Sequence, residues 1–148
     1  MSERTDRGDP TTADRMLPPE SPAGAPFWAA SRERRLLLPW CVPCGAAHWY
    51  PRGFCPVCLG DEIEWRPASG GGRVHAVSVQ PKVPFPGVGG EPPYAVALVD
   101  LDEGVRMMLR VVADDAWSVA VDDPVSIGWE PLSDGRHLPV ALPSDPPA

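Results

Sequence analysis

The amino-acid sequence predicts a mainly β chain in which a short helix precedes a cysteine-bearing segment and a small C-terminal barrel. Three observations carry that expectation. The 148 residues include 21 prolines and 14 glycines, a density of chain breakers that excludes a long helical bundle. From Gly70 onward, five segments rich in valine, leucine and aromatics are separated by turn residues, and five strands in roughly 75 residues suit a barrel. Ahead of them, all four cysteines fall within a stretch too small to bury a core of its own. Hydrophobic residues make up 43% of the chain and six tryptophans are present, enough for one small core.

Residues 1–24 carry charges, Ser, Thr, Pro and Gly with almost no large apolar group, so burial does not offset their ordering entropy and a disordered arm is expected. The next stretch places Pro26 at a first helical position, with Phe27 and Trp28 after it and good helix formers as far as Leu38. Pro39 closes it, so a helix is expected over 25–39. Its aromatic side docks on its own domain or on a partner chain.

Residues 40–67 contain short apolar segments around Trp40-Cys41, Ala46 to Pro51, Phe54-Cys55 and Glu62 to Pro67, each too brief to stand alone. The later segments read as strands. Tyr94–Leu101 and Val105–Val112 form a hairpin around Asp102-Glu103-Gly104, and Val105, Met107, Leu109 and Val111 share one face at period two, the expected core face. Gly70-Gly71-Gly72 reads as a hinge or the start of the barrel. Residues 81–93 hold five prolines and three glycines and cannot be a central strand, so they form a loop that packs as a lid or contacts a partner. Over 113–123 one helical turn or an irregular connection is expected, with Trp117 plugging a barrel end. The last residues fray.

The cysteines are spaced as Cys41-Val-Pro-Cys44 and Cys55-Pro-Val-Cys58. A tetrahedral metal ion takes two thiolates from each of two tight knuckles, so Cys41, Cys44, Cys55 and Cys58 are the expected ligands of a structural Zn2+. Disulfides are the alternative for such residues and do not suit a cytoplasmic chain. Iron of the rubredoxin kind also suits four thiolates and would make an electron carrier. Four cysteine ligands leave no open coordination position, so the site folds the chain rather than catalysing a reaction. His48, between the knuckles, is expected to be a packing or surface residue. His75 and His137 lie on strands with no serine or carboxylate at a diagnostic spacing, and no catalytic residue is assigned. Asp100, Asp102 and Glu103 read as a solvated turn.

With 13 Lys and Arg against 20 Asp and Glu, the formal charge is −7, which does not favour nucleic acid. A single-stranded nucleic-acid module using aromatic stacking is the weaker alternative for such a barrel. No apolar run reaches membrane-spanning length and the first residues lack a signal-peptide core, so a soluble, cytoplasmic protein is expected without a membrane partner.

Taken in order, Phe27-Trp28, the two knuckles with Tyr50-Pro51-Arg52 between them, Glu64-Trp65, Gly70–Gly72 and Pro93-Tyr94 through Gly104 resemble one family. This is the zinc-ribbon OB-fold family, first catalogued as a domain of unknown function, whose members are small partners of thiolase-like enzymes and of MaoC-like enoyl-CoA hydratases. The likeness covers about 26–143. It implies a helical arm, a rubredoxin-like zinc ribbon over 40–68, a C-terminal OB-fold barrel over 69–143 and a tail over 144–148. It also implies a non-catalytic accessory subunit, in a hetero-oligomer, that completes acyl-CoA chemistry such as acyl transfer or retro-aldol cleavage of steroid side-chain CoA thioesters. Acyl-CoA carries phosphates, an adenine and a pantetheine arm, and Arg52, Arg73, Lys82 and Trp49 are the candidate contacts. The chain departs from the family pattern at Val121-Asp122-Asp123-Pro124-Val125, where the barrel closes.

Overall fold

A computed structural model describes residues 15–82 and 92–144. Helix α1 spans Ala25–Ser31, directly after a 3-10 turn over Pro22–Gly24. Strands β1 (Leu37–Cys41), β2 (Ala46–Ala47) and β3 (Ile63–Pro67) form a small antiparallel sheet with β1 in the middle. Strands β4 (Gly71–Gln80), β5 (Tyr94–Leu101), β6 (Arg106–Val111), β7 (Pro124–Pro131) and β8 (His137–Pro143) close into a barrel of order β4-β5-β6-β8-β7. The mainly β class and the five-stranded barrel are those the sequence predicts. Among the described residues, no helix is long and apolar enough to cross a membrane.

The helix is shorter than its propensities predict. The Arg35 amide donates to Ala30 O and the Arg34 amide to Ser31 O, a Schellman pair that leaves Arg34 left-handed at φ 57°. No glycine marks this stop, so helix formers alone suggest a longer element. Burial decides against it: Leu36 and Leu38 sink into the core and are unavailable to a surface helix. Pro39 then sits inside a strand. Its carbonyl accepts from the His48 amide, so its missing donor lies on the β2 side, beyond the two residues that pair there.

The arm also departs from expectation. Residues 15–24 dock by charge and backbone contacts rather than by apolar burial. Arg136, almost fully buried, donates Nη2 to Pro18 O (2.8 Å), lies over the Trp28 ring (4.5 Å) and pairs with Asp134. Arg15 pairs with Glu130 of β7. Residues 1–14 lie outside the described residues, as do 83–91 of the expected lid and 145–148 of the tail.

The barrel interior follows the period-two pattern. Ala95, Ala97, Val99 and Leu101 of β5 face Val105, Met107, Leu109 and Val111, all buried. The hairpin closes with the Leu101 amide on Val105 O, and Gly104 takes φ +85°. Its acidic tip is not merely solvated: Ser69 donates its amide to Glu103 and its hydroxyl to Asp102, tying the start of the barrel to the turn. At Gly72 a Cβ would lie 2.7 Å from Asp100 O, so the glycine permits the close antiparallel pairing of β4 with β5. Closure occurs at the segment that departs from the family pattern. There Val74 and Asp122 to Asp123 exchange backbone hydrogen bonds, and Arg73 registers with Pro124. Trp117 does not plug the barrel: it is 66% exposed, while its neighbours Ala116 and Val119 are buried instead.

Candidate metal centre and an adjoining cavity

The two cysteine pairs are built as matching knuckles. In the first, the Gly45 amide donates to Cys41 O (2.9 Å) and Gly45 takes φ 65°; in the second, the Leu59 amide donates to Cys55 O (2.9 Å) with Leu59 at φ 63°. Leucine thus occupies the left-handed position that glycine fills in the first knuckle, although such a residue costs roughly 1–2 kcal/mol there. Strand β1 delivers Cys41 at its end, and its pairing with β3 holds the first knuckle against the second through Val42 N on Glu62 O.

The four sulfurs lie within 4.8 Å of one another, with Cys41 and Cys58 at 3.6 Å and Cys44 and Cys55 at 4.0 Å. Zinc–sulfur bonds of ~2.3 Å in a tetrahedron require edges of about 3.8 Å, so the arrangement fits the ion. Amides reinforce the thiolates: Val57 N points at Cys55 Sγ and Gly60 N at Cys58 Sγ, each at 3.4 Å. The Cys58 and Val57 amides lower the Cys55 thiol to about 7, whereas hydrogen bonding to Cys41 and Cys58 pushes Cys44 up to about 12. A divalent cation at the centre would stabilise all four as thiolates.

His48 supplies no fifth ligand. It is buried within the ribbon, and burial, with the Arg52 charge second, holds its imidazole below the usual value. His75 differs from expectation, because a β-bulge between Val74 and Ala76 brings it 3.5 Å from Asp100. That carboxylate is gripped by Arg106 at 2.6 and 3.1 Å, which lowers its pKa, and the group is exposed, so the pair belongs to a surface ion network. His137 donates Nδ1–H to Ser31 O (2.8 Å), fastening the end of α1 to β8.

The proposed acyl-CoA contacts are not brought together as one cluster. Arg73 donates to Asp122 O (3.1 Å) at the barrel closure, Lys82 is exposed beyond β4, and Arg52 is exposed on the ribbon. Trp49 alone of the four lines a cavity of about 390 Å³ between α1, the ribbon and the outside of the barrel. Phe27 is its hinge of aromatic contacts, edge-on to Trp28 at 4.9 Å and to Trp49 at 5.1 Å. Met108, Leu138 and Val140 complete the apolar wall, and Arg15 and Arg110 stand at it as well. Sequence reasoning missed this cavity. The adjacent Trp49-Tyr50-Pro51 was visible, but its juxtaposition with β6 and β8 depends on how the ribbon seats on the barrel.

Family models agree with this architecture. Residues 28–64 match the ChsH2 rubredoxin-like zinc ribbon domain and 65–130 the ChsH2 C-terminal OB-fold domain. A solved chain from an assembly described as an Ltp2-ChsH2(DUF35) aldolase is similar at TM-score 0.77 and 30% identity, covering 86% of this chain and 98% of that one. A DUF35-family protein of unknown function from Sulfolobus solfataricus, 16% identical, shares the fold at TM-score 0.60 over 84% of this chain and 87% of its own. A probable enoyl-CoA hydratase alpha subunit of Thermomonospora curvata is 32% identical over 121 residues, 81% of this chain but 37% of that protein. A DUF35 domain-containing scaffold protein of Methanothermobacter thermautotrophicus is 34% identical over 90 residues, 59% of this chain and 65% of its own length. The chain therefore spans less than two thirds of these curated relatives.

Proposed function

The chain belongs to the ChsH2 (DUF35) family of zinc-ribbon OB-fold proteins, and from that membership we propose that it is a non-catalytic accessory subunit of a cytoplasmic acyl-CoA enzyme. Its partner is a thiolase-like enzyme that performs acyl transfer or retro-aldol cleavage, with steroid side-chain CoA thioesters as one substrate class. The observation that carries the reading is the likeness to a chain, over 98% of that chain's length, from an assembly described as an Ltp2-ChsH2(DUF35) aldolase. The site chemistry is compatible: four thiolates saturate a tetrahedral ion and leave no position for substrate, so this chain's cysteines hold the fold. The reacting groups then reside on the partner. Arg52 and Lys82, whose side chains are exposed, are the candidates for CoA phosphate contacts, whereas Arg73 is committed to a backbone carbonyl.

A second reading, partnership with a MaoC-like enoyl-CoA hydratase, is favoured by the likeness to the Thermomonospora curvata subunit. Co-expression with a thiolase-like and, separately, a MaoC-like protein from the same genome tests both. The expected result is a stoichiometric complex with the thiolase-like protein whose carbon–carbon cleavage or acyl transfer requires this chain. A complex with the hydratase alone would select the second reading. Full partner activity without the chain, and no complex with either, would refute both.

A further inference from the structure

The cavity between α1, the ribbon and the barrel is unused by the accessory-subunit reading. We propose that it is a binding site for a small amphipathic anion, an apolar chain or ring ending in one carboxylate-like group. The proposal does not depend on the partner assignment.

Size and walls come first. A volume of about 390 Å³ falls in the roughly 300–1,000 Å³ range of small-molecule sites. Trp28, Trp49, Met108, Leu138 and Pro139 offer aromatic and aliphatic surface from α1, the ribbon, β6 and β8, which suits a flat or flexible hydrocarbon.

Charge then selects the head group. Arg15 and Arg110 both stand at the cavity, and both pair with the same Glu130 Oε1, Arg110 at 3.5 Å. Among the described residues, two guanidinium groups against one carboxylate leave one positive charge beside an apolar hollow, in a chain whose formal charge is −7. Arg110 Nε is buried without a hydrogen-bond partner among the described residues. Glu130 does not use that donor, for its own Oε2 is also buried and unpartnered. Arg110 and Arg15 are only 24% and 16% exposed, so an anion arriving there meets charge poorly screened by solvent. An incoming carboxylate takes up the uncompensated guanidinium charge in a charge-assisted contact while its chain displaces water from the tryptophans. A cationic head group is repelled, and a polyanion finds only one net charge.

The test titrates the full-length, zinc-loaded protein with decanoate below its micellar concentration, following tryptophan emission, with calorimetry for stoichiometry. One saturable site is expected. Decanol, the same chain without the charge, binds at least about tenfold more weakly, and Arg110→Gln weakens decanoate by a similar factor. Leu138→Trp fills the hollow with both arginines intact and abolishes binding. Circular dichroism checks the fold of each variant, and if Arg110→Gln does not fold, decanol and Leu138→Trp decide. Absence of saturable decanoate binding overturns the proposal. Equal binding of decanol and decanoate also overturns it, since the site would then be an apolar hollow without an anion subsite. No partner enzyme is present in this assay, so its failure leaves the accessory-subunit reading standing.

Discussion

Replacing Arg34 with glycine should stabilise the protein, and the sign of that effect separates the observed helix end from the longer helix that propensity alone suggests. Arg34 holds φ 57° in the Schellman turn and its side chain is exposed. A left-handed residue with a Cβ costs roughly 1–2 kcal/mol, which glycine removes. Glycine in turn loses about 0.5–1 kcal/mol through the greater freedom of its unfolded chain. The net expectation is a gain of about 0.5–1 kcal/mol, or a rise in Tm of roughly 1–4 °C for a chain of this size. Arg34→Ala keeps the Cβ at positive φ and should change stability by less than about 0.5 kcal/mol. A helix running to Leu38 reverses the pattern, because glycine inside a helix is about 1 kcal/mol worse than alanine. Thermal and urea unfolding of both variants are the assay. A destabilised Arg34→Gly together with a stabilised Arg34→Ala would refute the Schellman end and everything inferred from it.

Metal analysis should return one zinc per chain, and Cys58→Ser should lower that occupancy sharply; a red protein containing iron would instead place the site with electron carriers. Gly72→Val is expected to cost about 2 kcal/mol or more, since its Cβ must enter the 2.7 Å space before Asp100 O, and urea midpoints would reveal a tolerant barrel if this pairing is looser. Asp100, held below the usual carboxylate range by Arg106, contributes stability above its unfolded pKa that is lost as pH falls through its lower folded pKa. Because the pair is exposed, Asp100→Asn should remove no more than about 1 kcal/mol at neutral pH and nothing in strong acid, a difference readable from melts at two pH values.

Patterns that are local in sequence were legible before the structure. The cysteine spacing alone announces a four-thiolate centre, and alternation in Val105, Met107, Leu109 and Val111 announces a core face, because both follow from backbone periodicity. Features requiring two distant segments to meet were not. The helix end depends on Leu36 and Leu38 being drawn into a core that the barrel supplies, and the docked arm depends on Arg136, 118 residues from Pro18. Trp117 misled for a related reason: a large aromatic is normally buried, yet here the smaller Ala116 and Val119 are buried and the indole is exposed. The His75–Asp100 contact was hidden by a bulge that no spacing rule registers.

The burial of Leu36 and Leu38 in one cluster with Val74, Val99, Leu109 and Ala141 has a thermodynamic consequence. Ribbon and barrel are not beads on a string, since the strand that ends in Cys41 begins in contact with the barrel's own interior. A cation that binds only the native knuckles shifts the whole unfolding equilibrium by RT ln(1 + [M]/Kd), and that shift reaches any segment melting in the same cooperative transition. Free zinc in the surrounding medium thereby becomes a control on the thermal tolerance of a barrel that contains no metal ligand.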